Sequence, residues 1–195
     1  MTFKYALHAP RLDALLGALR MDNAHRRPLL ETAARGVQRA VSRHIERMGP
    51  TRHRTANSLG AEPTGHYEHA AADVTSEVDG NVGVVTIPIA GISRAFHEVT
   101  IRPGPGKSAL TIPIAAEAYG RNVVEMRSSG WVVFRPKKSR LLFGSRDGVA
   151  GALPLYALVA VVHQPQDRTL LPSDEELGAA AEDGVQTYLR EATRA

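Results

Sequence analysis

The chain has no cysteine, which excludes a disulfide scaffold, a Cys-ligated zinc site, an iron–sulfur cluster and a Cys nucleophile. Aromatic residues make up only 5% of the 195 residues, with a single Trp, so the ring platforms that stack single-stranded bases are poorly supplied. No apolar run approaches the ~18 residues of a membrane span. The residues after Met1 include Lys4, His8, Arg11 and Asp13, which does not read as a signal peptide. These absences predict a soluble chain made inside the cell. Its length suits one domain, or at most a close pair, and folding can bury about 70% of the extended surface without a metal or crosslink.

Lysine is also scarce, 4 residues against 20 arginines, a bias that a GC-rich genome produces without any need for guanidinium chemistry. The pI of about 9.7 suggests a nucleic-acid binder, yet the net charge is only +4. Residues 1–60 hold 11 basic and 4 acidic side chains, and residues 61–195 hold 13 basic and 16 acidic. A basic N-terminal third therefore sits on a mildly acidic body.

Hydrophobic spacing predicts the elements. From Pro28 to Met48, Leu30, Ala34, Val37, Val41, Ile45 and Met48 form one apolar stripe, as an amphipathic helix requires. Arg35, Arg39, Arg43 and Arg47 lie on the opposite side, Pro28 suits the first turn and Gly49-Pro50 reads as the stop. A second helix is expected over Arg11–Leu19, with Leu12, Leu15, Leu16 and Leu19 on one side. Residues 51–65 read as a loop and His66–Ala72 as a short helix. Three hairpins are expected. Their turns are Asp79-Gly80-Asn81, Pro103–Lys107 (between Val99–Arg102 and Leu110–Ile114) and Pro136–Arg140 (between Trp131–Arg135 and Leu141–Phe143). Ala115–Arg127 suits a short helix, and Leu155–His163 a strand covered on both faces. Ser173 with Glu176 forms a capping box for a last helix whose stripe is Leu177, Ala181, Val185, Tyr188 and Ala192. The sum is an α+β chain read as a single domain over 1–195. It has N-terminal amphipathic helices (1–50), antiparallel β-hairpins forming a sheet (73–164) and a C-terminal helix (173–194).

Candidate chemistry is thin. Gly104-Pro105-Gly106-Lys107-Ser108 resembles the end of a phosphate-cradling loop, but Ile101 replaces its first glycine and Pro105 removes an amide donor. A strand, with no helix, is expected to follow. His66 and His69 are spaced to share one helical turn, with His53 or His97 as a third ligand, yet no HExxH accompanies them. No nucleophile elbow or acid/base pair stands out. The chain is therefore expected to have no catalytic, metal or cofactor site. The Arg35–Arg47 series has three readings: a solvated face, a subunit contact with an acidic surface such as the C-terminal helix, or a phosphate-backbone contact. Arg102, Lys107, Lys137, Lys138 and Arg140 are candidate contacts at hairpin tips.

One stretch carries a resemblance. It comprises Gly91-Ile92-Ser93-Arg94-Ala95-Phe96-His97, then Ile101-Arg102-Pro103 and Lys107–Pro113. Arg54–Ala61 and Pro63–His66 precede it, and Pro165…Leu171-Pro172-Ser173 follows before an acid-capped helix. Over about residues 30–190 this order resembles the virion morphogenesis proteins of tailed phages, the tail completion or head–tail joining proteins of Mu-like phages and prophages. The resemblance implies a structural protein, not an enzyme, without cofactor. It implies a ring of identical subunits, a hexamer favoured, that meets the tail tube, portal or connector proteins at the virion neck or tail end. DNA would pass through such a ring, no membrane would be involved, and synthesis would take place in the bacterial host cytoplasm. The runner-up is a nucleic-acid-binding module using the Arg35–Arg47 face.

Overall fold

Short-range signals in the chain set most element borders. The computed structural model describes residues 3–6, 23–88, 91–148 and 150–193. The helix expected over Arg11–Leu19 lies outside them. In chain order the elements are β1 (Phe3–Ala6), α1 (Asn23–Arg52), α2 (Arg54–Leu59), α3 (His66–Ala72), β2 (Thr75–Asp79), β3 (Val82–Ile87), β4 (Val99–Ile101) and β5 (Leu110–Pro113). Then follow α4 (Val123–Ser128), β6 (Val132–Phe134), β7 (Leu141–Ser145), β8 (Leu153–Val159), β9 (Val162–Gln164) and α5 (Asp174–Ala192), with 3₁₀ turns at Ile92–Ala95, Ala116–Ala118 and Arg168–Leu170. This is a mixed α+β chain with an N-terminal helix, antiparallel sheets and a C-terminal helix, as the sequence predicts.

The chain divides into two units. One comprises Met1–Pro50, Gly65–His97 and Gln166–Ala195, the other Thr51–Thr64 and Glu98–Pro165. In the first unit β2 and β3 form the expected hairpin, Asp79 opposite Val82 across Gly80-Asn81, and β1 pairs with the far side of β3. The predicted stripe of α1 is buried: Leu30, Ala34, Val37, Val41, Ile45 and Met48, joined by Leu29 and Ala33. Against it pack Val74, just before β2, Val85 and Ile87 of β3, and Leu177, Ala181 and Val185 of α5. Burying such a side chain contributes about 1.5–3 kcal/mol, so this stripe dominates the unit.

Three expectations on these helices need correction. The long helix begins at Asn23 and runs through Gly49-Pro50 to Arg52. Pro50 lies in the last turn, where it removes one backbone bond from the carbonyl of the exposed Glu46, a small loss at a helix end. Gly49 has a packing role: a Cβ there would come within 3.2 Å of Tyr67 and 3.3 Å of Glu68 on α3. The polar segment 51–65 is not all loop, since Arg54–Leu59 is helical and closes on Gly60 in the left-handed region, φ 65°. In α5 the Ser173–Glu176 capping box is present, but Ala192 is exposed and the buried stripe ends at Val185, with Tyr188 half-buried.

The second unit carries a four-stranded antiparallel sheet in the order β5-β8-β7-β6, and a separate β4–β9 pair. The hairpin β6–β7 is as expected, Phe134 opposite Phe143. The hairpin expected between Val99–Arg102 and Leu110–Ile114 does not form. β4 pairs with β9 and β5 with β8, so Pro103–Lys107 belongs to an excursion, residues 102–109, opposite the two residues 160–161 that separate β8 from β9. A Pro-Gly-rich run marks an irregular segment but does not choose its strand partners. Ala115–Arg127 splits into the 3₁₀ turn and α4, because Asn122 caps α4 through the Val124 and Glu125 amides.

Leu155–His163 is interrupted after Val159, and its apolar run has a local cause. Phe143 pairs with Pro154 and Leu142 with Tyr156, which leaves Leu155 as the extra residue of a β-bulge. Leu155 and Tyr156 both join the core formed with Met126, Trp131, Val133 and Ala118 under α4. Two consecutive buried residues therefore reflect one bulge facing one core.

Candidate functional site

The arginine series of α1 is exposed at all four positions. Each four-residue step overshoots a full turn by about 40°, so the series winds about 120° around the helix. It is a spiral ridge, not one flat face. Arg35 borders a polar trough of about 570 Å³ shared with Arg27, Glu31, Gln38 and Glu77. Here Gln38 donates to the Val74 carbonyl at 2.7 Å and accepts from the Ser76 hydroxyl at 2.7 Å. At the other end, Arg47 lies 3.4 Å from His44 Nδ1. Glu176 is held below its ordinary value first by the Ser173 backbone and hydroxyl bonds, then by the nearby His44 and Arg47. Arg39 and Arg43 lie between, and Arg43 Nε donates to the Arg39 carbonyl at 3.3 Å. None of the four forms an ion pair among the described residues.

Around the α5 N-terminus, a cavity of about 600 Å³ is lined by His44, Phe96, Arg168, Leu171, Pro172 and Glu176, among others. Its charges are mixed, because Arg168 and the nearby Arg47 face Asp174 and Glu176. His44 is already bonded to the Thr169 carbonyl at 3.0 Å. In it the Ser173 hydroxyl donates to the Glu176 carboxylate at 3.1 Å, a bond that belongs to the α5 capping box.

The candidate histidines do not assemble. His66 and His69 are exposed on α3 and His97 is exposed, while His53 is buried. Among the described residues no three His, Asp or Glu side chains converge to hold a metal ion. The Gly104–Ser108 segment makes a tight turn, Lys107 N–H to the Gly104 carbonyl at 3.1 Å, and leads into β5. No helix N-terminus follows it. Among the described residues no helix is long and apolar enough to cross a membrane.

In the second unit, Arg102 and Lys107 are exposed on the 102–109 excursion, and Lys137, Lys138 and Arg140 are exposed at the β6–β7 turn. Lys138 holds φ 61° there. The cross-strand register adds a surface that sequence reading missed. Val132, Phe134, Phe143, Pro154, Leu141, Ala157, Ile112, Val159 and Leu110 share the sheet face turned away from α4, since they are linked by cross-strand pairs (Phe134–Phe143, Phe143–Pro154, Leu141–Ala157, Ala157–Ile112, Val159–Leu110) and by two-residue steps along the strands. Among the residues of this face only Ser145 is polar. None of these side chains is buried, Val132 is 65% and Phe134 42% exposed, and Phe134 and Phe143 stack at 6.3 Å. The only sequence signal was a strand, Val132-Val133-Phe134, apolar on both sides.

No family model, curated protein or solved structure matches this chain.

Proposed function

We propose that the chain is a structural subunit of a tailed-phage neck or tail end, a tail completion or head–tail joining protein that works as a ring of identical copies. The observation that carries this reading is the outward apolar face of the β5-β8-β7-β6 sheet. Soluble proteins that act alone rarely leave a contiguous apolar sheet face in water, and a neighbouring copy would cover it. Four strands about 4.8 Å apart and some five residues long give a footprint of only a few hundred Å². That is well below the ~800 Å² per partner of a stable pair. One such contact is weak, whereas a closed ring satisfies two per protomer, and head-to-tail contacts close when the rotation per copy divides a full turn. The motifs at Gly91–His97 and Lys107–Pro113 agree with this reading. A hexamer is the favoured count, tail tube, portal or connector proteins are the partners, and the bacterial cytoplasm is the place of synthesis before incorporation into the virion.

Size-exclusion chromatography with light scattering, followed by negative-stain microscopy, tests this reading with and without tail-tube or portal protein. Rings are expected, or a monomer that closes into rings on meeting its partner. Val132→Ser with Phe134→Ser should weaken assembly while leaving the fold intact. A strict monomer that binds none of these proteins overturns the proposal.

A second reading, nucleic-acid binding by α1, draws on the exposure of Arg35, Arg39, Arg43 and Arg47 without ion-pair partners among the described residues. It requires Arg35→Ser, Arg39→Ser and Arg43→Ser together to remove binding to duplex DNA.

A further inference from the structure

The densest run of uncompensated charge is in the second unit, on and beside the β6–β7 hairpin. Between residues 127 and 146, Arg127, Arg135, Lys137, Lys138, Arg140 and Arg146 occur with no acidic residue among them. All six side chains are exposed. Some cations elsewhere meet counter-charges, as Arg27 meets Glu31 at 3.2 Å and Arg94 meets Asp167 at 3.8 Å, while Arg35, Arg39, Arg43 and Arg47 are spread over three turns of α1 with Glu46 among them. In this run the bonds go to neutral acceptors. Arg127 donates to the Val133 carbonyl at 3.2 Å and Arg135 to the Ser139 carbonyl at 2.8 Å, and neither bond cancels charge. Two acids flank the run: Glu125 is committed to the Asn122 amide of its capping box at 2.8 Å, and the exposed Asp147 follows Arg146.

We propose that the β6–β7 hairpin is a contact for the phosphate backbone of duplex DNA. β6 and β7 form the edge hairpin of the sheet, four of the six cations lie at its turn between Arg135 and Arg140, and a run of cations without acids is what releases condensed counterions. The competing partner is an acidic surface of a second copy, such as the exposed Glu175, Glu182 and Asp183 of α5; duplex DNA offers a denser line of charge, one per about 1.7 Å of helix axis. The inference does not depend on ring assembly, because the contact belongs to one hairpin of one protomer.

Fluorescence anisotropy of a short mixed-sequence duplex titrated with the full chain, at about 50 and about 200 mM salt, tests it. Each phosphate neutralised weakens binding about 3.5-fold over that salt step. The expected variant is Lys137→Ser with Lys138→Asn and Arg140→Ser, where Asn tolerates the left-handed backbone at position 138. It should reduce the salt sensitivity about 40-fold, while Arg35→Ser, Arg39→Ser and Arg43→Ser leave it unchanged. Circular dichroism confirms that each variant is folded. Absence of binding at low salt overturns the inference, as does unchanged salt sensitivity in the hairpin variant. A hairpin variant that keeps DNA binding but loses self-association by light scattering also overturns it, in favour of an acidic protein surface. DNA binding by a chain that never forms rings supports the inference and counts against ring assembly alone.

Discussion

Gly36 on α1 sits directly against the Ala180 carbonyl of α5, so close that a Cβ at position 36 would overlap it, and Gly184 meets the Thr32 carbonyl in the same way. The two glycines let the helix backbones touch where larger residues would hold them 8–10 Å apart. An alanine at either position gains about 1 kcal/mol of helix propensity. The overlap is with backbone, which cannot swing aside, so the cost falls at the upper, ~3 kcal/mol end of overpacking. Gly36→Ala and Gly184→Ala are therefore each expected to lower stability by about 2 kcal/mol net, measured by denaturant unfolding. Stability equal to or above the parent would show that α1 and α5 are not packed through these residues.

Gly178 on α5 makes the opposite case. A Cβ there meets nothing within 4 Å, and the residue lies inside the helix. Gly178→Ala should stabilise by about 0.5–1 kcal/mol, measured in the same unfolding series. A loss would mean that this turn of α5 is not helical.

Glu176 carries a pH signature. The Ser173 backbone and hydroxyl bonds, with lesser help from His44 and Arg47, hold its carboxyl below the ordinary value of 4.5. A carboxylate favoured in the folded state contributes stability that is fully present above the unfolded value and is lost as pH falls through the lowered folded one. Unfolding midpoints of Glu176→Gln should approach those of the parent as the pH is taken below 4.5, and fall behind them at neutral pH. A constant gap from neutral to acid pH would remove the carboxylate from the account. Ser173→Ala should cost about 1 kcal/mol at neutral pH.

What was legible in the sequence was what a few neighbouring residues decide. The Ser173–Glu176 cap, the Asp79–Val82 turn, the His66–Ala72 helix and the buried stripe of α1 all rest on spacings of four residues or fewer. Partner choice between distant segments was not legible. Pro103–Lys107 signals an irregular segment, yet β4 and β5 take β9 and β8 as partners more than forty residues later. The basic tip at Lys137–Arg140 was visible as composition. The apolar outer face around Phe134 was not, because Val132-Val133-Phe134 is apolar on both sides. Only the register through β7 and β8, with its bulge at Leu155, shows which side faces α4.

Tyr156 predicts an alkaline limit for the second unit. Its side chain is buried and its hydroxyl donates to the Arg121 carbonyl at 2.9 Å. Burial pushes its pKa up, Glu125 adds to the rise and Arg121 opposes it. A group whose folded value is raised contributes stability that is fully present below the unfolded value and is lost as pH rises through the folded one. Stability should therefore decline above pH 10.0, and Tyr156→Phe should flatten that decline. At neutral pH the same variant should cost about 1 kcal/mol, because the Arg121 carbonyl loses its donor. An alkaline decline unchanged in Tyr156→Phe would assign it to another tyrosine or lysine.

Arg127 blunts a sheet edge. β6 is the last strand of its sheet, and an open edge is a template for unwanted pairing. The Arg127 guanidinium donates to the Val133 carbonyl at 3.2 Å, occupying an acceptor that an incoming strand would use. The protection matters more here because Val132 and Phe134 put apolar side chains on either side of that carbonyl. Arg127→Met keeps the aliphatic stem and removes the donor, so it should cost about 1 kcal/mol and raise concentration-dependent aggregation in light scattering. Arg127→Lys keeps a donor on a shorter, flexible amine and should recover part of the protection. If Arg127→Met is as soluble as the parent, the edge is covered by something other than Arg127. The short length of β6 would then be its main defence against pairing.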